Sequence, residues 1–338
     1  MEPDTNYTLP EANPETPNAP VKRFPAALQL GILAFMLIGI LGTATYNSIV
    51  QTNPTPVTET APPAPLATLS SETENPNLKR LAAVQIKGKA AYVYDIQAKK
   101  ALYQKNPDEI LPLASITKLM TALLTHELIA NDTTIIIPKN AISSGGGSGL
   151  KADEQFTTQA LSDYALLSSS NEAAFALAAA VGTALGSDSS PADTFVEGMN
   201  VRAQELGLTT LKFYNPTGLD VSTTKAGAVG SARDVSFLME YIVTTNPSIL
   251  EPSTFTATRI YDKDGRFHAA ENTNPTIARI PNLLGSKTGY TDLAGGNLTI
   301  AFDAGFNRPI IVTVLGSTFD ERFSDVLALV SAITGVVE

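Results

Sequence analysis

The chain has 338 residues, 43% of them hydrophobic, enough to bury a full core in one large or two small domains. A net charge of −10 leaves no basic stripe to meet phosphates, which argues against a nucleic-acid partner. The absence of cysteine excludes disulfides, thiol catalysis, cysteine-ligated metals and a lipoprotein anchor, and it leaves two histidines, His126 and His268, for any imidazole chemistry.

Residues 1–23 are polar, acidic and proline-bearing, and are expected to form a disordered tail. Lys22 and Arg23 precede a charge-free run at 24–46, long enough to span a bilayer as a helix. The positive-inside rule then predicts a single-pass cell-membrane anchor, with the tail in the cytoplasm and the rest of the chain extracytoplasmic. A cleaved signal peptide is the competing reading; the long tail and the lack of a small-x-small cleavage site favour an uncleaved anchor. Residues 47–77, rich in Pro, Thr, Ala and Glu, read as a linker with a reach of about 30–100 Å.

The folded domain is predicted at 78–338. Ala90-Ala-Tyr-Val-Tyr-Asp95 and Ala101-Leu-Tyr-Gln-Lys105 read as a β-hairpin. It leads to Leu111-Pro-Leu-Ala-Ser-Ile-Thr-Lys118, where a helix entered at Ala114 sets Ser115 and Lys118 on one face. A hydroxyl, an amine and a helix N-terminus that favours developing negative charge are the parts of an acyl-transfer site without histidine. The second Ser-x-x-Lys, from Ser222 to Lys225, runs into Ala-Gly-Ala-Val-Gly and reads as a loop. His126 shares the Ser115 face, but the helical rise sets it about 16 Å away. His268 falls just past a predicted turn, and His126-Glu127 has no partner histidine at position 130 to make a zinc-protease motif.

Further on, the pattern predicts a strand at 133–138, an irregular glycine-rich stretch at 143–149, and helix over 158–181 broken at Ser168-Ser-Ser-Asn171. Helices follow at 191–206 and 234–244, then strands at 256–261, 266–270, 286–290, 297–302 and 309–315, and a closing helix at 322–334. Strands at both ends with helices between predict an α+β fold whose terminal strands meet in one antiparallel sheet.

Ser169-Ser-Asn171 adds a second hydroxyl and an amide, and Gly285-Ser-Lys-Thr-Gly-Tyr290 adds an ammonium and a hydroxyl on a predicted strand. In the order Ser-x-x-Lys, Ser-x-Asn, Lys-Thr-Gly, the sequence resembles the penicillin-binding serine D,D-peptidases, most closely the low-molecular-weight D-alanyl-D-alanine carboxypeptidases. The resemblance covers about residues 80–335 and extends to Ser148-Gly-Leu, Phe213-Tyr-Asn-Pro-Thr-Gly-Leu-Asp220 and Asn272-Thr-Asn274. It implies a β-lactamase/D,D-peptidase-like fold, an antiparallel sheet flanked by helices with a helical subdomain. It also implies Ser115 as nucleophile, Lys118 as its base with Lys287 lowering its pKa, and Ser169 as the relay to the leaving amine. Asn171 would hold a substrate amide, and the backbone N–H groups of Ser115 and of Tyr290, which follows Gly289, would form the oxyanion hole. Lys287, Thr288 and Arg322 are the candidates for the substrate's terminal carboxylate; the other reading of Arg322 is a solvated arginine at a helix start.

The activity so implied is a membrane-anchored carboxypeptidase acting on peptidoglycan stem peptides that end in D-Ala-D-Ala, with β-lactams as acylating mimics and no metal or organic cofactor. Three alternatives stay open: a D,D-endopeptidase, a non-catalytic wall-binding domain, and a serine β-lactamase using Glu205 to activate water. No Glu-x-x-Leu-Asn motif supports the last. Thr273 stands where some members carry arginine. Several members also have a β-rich second domain and a C-terminal amphipathic helix; here the N-terminal helix is expected to take over the anchoring.

Overall fold

The computed structural model describes residues 76–143, 147–187 and 189–335. The predicted tail and anchor, all but the end of the predicted linker, and 144–146 of the glycine-rich stretch therefore lie outside the described residues. No described helix is long and apolar enough to cross a membrane.

The strand Ala90–Asp95 is buried at all six positions because both its faces are covered. Alternating side chains divide between two cores: Ala90, Tyr92 and Tyr94 join the cluster containing Val235 and Met239, while Ala91 and Val93 join the one containing Val326 and Val330. The helix Ala232–Thr245 thus covers one face of the sheet and Glu321–Thr334 the other. Ala90–Asp95 pairs antiparallel with Lys100–Lys105 on one side and Pro309–Ser317 on the other. Gly295–Asp303 and then Leu283–Thr291 complete a five-stranded sheet. The first and last strands of the domain meet in one antiparallel sheet, as the α+β pattern predicts.

In the helical half, every residue from Lys118 to Thr125 of the helix Lys118–Leu128 is buried, so this helix has no solvent face through most of its length. Around it pack Thr158–Leu167, Asn171–Ala184 and Pro191–Glu205. The break at 168–171 falls where predicted, and Ser170 caps the second piece by accepting a 3.0 Å bond from the Ala173 N–H.

Three kinds of element escape the periodic reading. The predicted domain start at 78 lies inside a helix, Pro76–Ala83. Gln155–Thr157 forms a strand against Thr134–Ile136, and Leu111–Pro112, Ala228–Gly230 and Lys212–Phe213 form a small sheet. Two- and three-residue strands are too short to carry a period; their tertiary neighbours create them. The strand expected at 286–290 grows to Leu283–Thr291 for the same reason, since the ladder carries it past the poor strand former Gly285.

Leu283–Thr291 is an edge strand of the large sheet, and it packs beside the turn that carries Ser115. The approach requires glycine. A Cβ on Gly289 would lie 2.8 Å from the Leu113 carbonyl oxygen and 3.2 Å from the Ser115 nitrogen.

Candidate active site

The helix entered at Ala114 begins tighter than an α-helix: Ala114–Thr117 is a 3-10 turn, and α geometry starts at Lys118. Ala114 has φ +49°, a left-handed conformation costly for a residue with a Cβ. The surroundings hold it there. Asn297 Nδ2 donates to the carbonyls of Pro112 and Leu113 at 3.0 Å each, and Thr117 Oγ1 donates to the Ala114 carbonyl at 2.7 Å.

Three residues on, the Lys118 side chain is fully buried. Its Nζ lies 2.8 Å from Ser115 Oγ, 2.7 Å from Asn171 Oδ1 and 2.9 Å from the Thr217 carbonyl oxygen. Burial lowers its pKa well below the ordinary lysine value, and the nearby charge of Lys287 lowers it further; Glu172 pulls the other way.

Lys287, on the edge strand, donates from Nζ to Ser169 Oγ at 2.9 Å and to the Thr288 carbonyl at 3.0 Å. Ser169 itself sits at φ +61°, so both hydroxyls of the predicted site lie on strained turns, one within its own residue and one beside Ala114. Burial and the charge of Arg322 lower the Lys287 pKa from 10.5 to about 7. The unfolded chain therefore binds a proton that the fold releases between those two values, and stability gains from this group as pH rises through that window. We expect the unfolding free energy of wild type minus that of Lys287→Met to rise by about 1.4 kcal/mol per unit between pH 7 and pH 10.5 and then level off. Urea titrations across that range check it; a flat difference would mean that Lys287 stays charged in the fold.

Arg322 is not a solvated helix-start arginine. It is 4% exposed, donates from Nη1 to the Gly289 carbonyl at 2.9 Å, and lies over the rings of Phe319 and Phe323. Burial lowers its pKa to about 10, with Asp320 and Tyr290 opposing. Its bond to the Lys-Thr-Gly strand makes it a fixed cation next to Lys287. Tyr290 is half exposed and packs edge-on against Phe319. The structure thus brings together Ser115, Lys118, Ser169, Asn171, Lys287, Thr288 and Gly289, with Tyr290 and Arg322 adjoining them.

Several site residues were not predicted in these roles. Thr217, in the Asn215-Pro-Thr-Gly stretch, supplies a carbonyl to Lys118. Glu172, buried next to Asn171, accepts from the Ser148 N–H at 3.0 Å and Ser148 Oγ at 2.7 Å, fastening the loop that borders the cleft. Tyr164 OH donates to the Ser148 carbonyl. These hydroxyls, with Ser169 and Asn171, line a cavity of about 360 Å³. No spacing rule marks Glu172, because its partner lies in a distant loop.

The rejected candidates fall outside. Ser222 and Lys225 share an isolated bridge in an exposed loop, where Lys225 stacks on Tyr214. His126 pairs with Asn131, and His268 with Glu154. Glu205 ends its helix in a surface ion pair with Arg202, away from the cleft lining. Among the described residues no group of three or more His, Asp or Glu side chains is placed to hold a metal ion.

Residues 76–318 match the family described as D-alanyl-D-alanine carboxypeptidase. The D-alanyl-D-alanine carboxypeptidase DacF of Bacillus subtilis is 32% identical over 254 residues, which cover 73% of this chain and 62% of that protein. A D-alanyl-D-alanine endopeptidase of Pseudomonas aeruginosa is 31% identical over 213 residues, covering 61% of this chain and 64% of that protein. The chain thus spans less than two thirds of the length of these two relatives. Penicillin-binding protein D2 from Listeria monocytogenes, solved in its ampicillin-bound form, aligns with a TM-score of 0.61 at 27% identity, over 74% of this chain and 98% of that one.

Proposed function

The chain belongs to the D-alanyl-D-alanine carboxypeptidase family, and from that membership we propose a serine carboxypeptidase that removes the terminal D-Ala of peptidoglycan stem peptides through an acyl-enzyme. One observation carries the reading: the Lys118 amine, buried and with its pKa lowered by that burial, touches Ser115 Oγ. Ser115 Oγ attacks the penultimate D-Ala carbonyl while Lys118 takes its proton. The oxyanion is received by the backbone N–H groups of Ser115 and Tyr290. Ser169, held by Lys287, relays the proton that Lys118 took to the leaving amine, so the C–N bond breaks and Lys118 is neutral again. Water then attacks the ester, with Lys118 as base again, and frees Ser115. Asn171 orients the acyl chain. Thr288 and Lys287 receive the terminal carboxylate, and Arg322 adds positive potential from behind the strand. β-Lactams acylate the same serine. Residues 24–46 anchor the chain in the cell membrane, 47–77 act as a linker, and the domain from 78 onward works outside the cytoplasm.

The test is covalent labelling of the full chain by a fluorescent penicillin. Wild type is expected to label and Ser115→Ala to lose the label completely, along with D-Ala release from an acyl-D-Ala-D-Ala peptide. An unlabelled, folded wild type would leave the wall-binding reading. The endopeptidase name of the Pseudomonas relative supports a second reading, and a cross-linked peptide dimer offered as substrate separates the two activities.

A further inference from the structure

The strands Ala257–Tyr261 and Phe267–Glu271 form a two-stranded sheet of their own beside the cleft. Its inner face is fixed. Ile260 and Ala270 are buried in the cluster that contains Phe156 and Leu161, and His268 Nε2 lies 3.1 Å from Glu154 Oε2. The turn is fixed as well: the buried Asp262 carboxylate accepts from the Arg266 N–H at 2.8 Å and from Arg266 Nε at 2.7 Å, and the Lys263 N–H donates to the Gln155 carbonyl at 2.7 Å. The alternate residues, on the outer face, are exposed throughout. Tyr261 and Phe267 pair across the strands with ring centroids 5.9 Å apart, each about half exposed, and the Arg259 guanidinium carbon lies 4.7 Å from the centre of the Phe267 ring. Further along the same strand, Ala269 and Glu271 line the cleft cavity with Ser169 and Asn171. The aromatic pair is therefore the outer end of a surface that runs about 14 Å along the strand into the cleft.

We propose that this outer face seats a glycan strand of the cell wall, its sugar rings stacked on Tyr261 and Phe267. The proposal rests on the reading of the cleft as acting on peptidoglycan. An N-acetylhexosamine ring fits because it is amphipathic: its C–H face packs on aromatic rings, and the hydroxyl and amide groups at its rim meet Arg259 as donor and Glu271 as acceptor, neither of which forms an ion pair among the described residues. A membrane fits less well. The apex of the turn is Lys263-Asp264-Gly265, which puts charge where an inserting loop would need apolar side chains. An extended peptide docks on a strand edge through backbone hydrogen bonds, not on a side-chain face. Thr273, just past Glu271, has its Oγ1 2.6 Å from that of Thr288, which receives the terminal carboxylate in the proposed function. The face thus begins where the bound stem peptide ends, so the sugars it holds belong to a neighbouring strand and not to the one bearing that stem.

The experiment offers the full chain in detergent three materials: insoluble wall peptidoglycan, glycan strands stripped of their peptides, and a soluble acyl-D-Ala-D-Ala peptide. Wild type is expected to bind the stripped glycan. Tyr261→Ala combined with Phe267→Ala is expected to lose about tenfold both in that affinity and in D-Ala release from the wall. Release from the soluble peptide and labelling by fluorescent penicillin stay at wild-type levels, since neither ring belongs to the reacting groups. Tyr261→Phe, which keeps the stacked face, should behave as wild type. No binding of stripped glycan by wild type, or an unchanged rate of the double variant on the wall, overturns the glycan seat. An equal loss on wall and soluble peptide overturns it too, because the hairpin then only supports the site. A wild type that binds glycan but takes no penicillin label overturns the enzyme reading alone.

Discussion

Lys118→Met is expected to slow acylation of the chain by penicillin by about 10²–10⁴-fold, the range typical of a lost general base. The geometry supports the proposed role of the amine as a base. Of its three neighbours, the Asn171 side-chain oxygen and the Thr217 carbonyl can only accept. A neutral amine has two protons, and these satisfy the two obligate acceptors. Its lone pair is left for the third neighbour, Ser115 Oγ at 2.8 Å. Burial, and after it the charge of Lys287, lower the pKa and so favour this form. Arginine is no substitute, because guanidinium stays charged and offers no lone pair, so Lys118→Arg should fall as far as the methionine variant. The label is read as a time course against Ser115→Ala. Wild-type acylation rates in Lys118→Met would identify some other group as the base.

How much of this was legible in the sequence depended on how local the cause was. Ser115 and Lys118 are three residues apart on one turn, so spacing alone paired them. The Ser168–Asn171 break showed because a polar run interrupted two apolar helices. The strand at 90–95 was legible too, although its complete burial, with hydrophobic residues on both faces, erased the simple alternation expected of a half-exposed strand. What escaped was what distance in the chain conceals. Asn297 holds the segment before Ser115 from 184 residues away, and Glu172 meets Ser148 across 24 residues. Arg322 reads either as a carboxylate contact or as a solvated arginine at a helix start, and neither reading shows its burial against the Gly289 carbonyl. The 3-10 geometry at Ala114 escaped as well, since a left-handed alanine is a tertiary imposition that no local propensity announces.

Gly218→Ala is expected to cost about 3 kcal/mol or more, a fall in Tm of about 6–12 °C for a domain of this size, and to weaken penicillin labelling with it. Gly218 belongs to the turn beneath Ser115. Asn215 Oδ1 draws that turn together by accepting from the N–H and Oγ1 of Thr217 at 3.1 Å each and from the Gly218 N–H at 2.7 Å. The turn then offers the Pro216 carbonyl to Thr121 and the Thr217 carbonyl to Lys118. At φ +81°, a Cβ on Gly218 would lie 1.9 Å from the Ala114 carbonyl oxygen and 2.6 Å from Thr117 Oγ1. Both are parts of the turn that carries Ser115, and a backbone carbonyl cannot rotate aside as a flexible side chain would. Gly207 provides the control: its φ is +74°, but nothing lies within 4 Å of the added Cβ. Gly207→Ala should therefore show the left-handed strain alone, about 1–2 kcal/mol. Thermal unfolding of the two variants separates conformational strain from collision. If they melt together, the turn yields, and the close contact with Ala114 is not what positions Ser115.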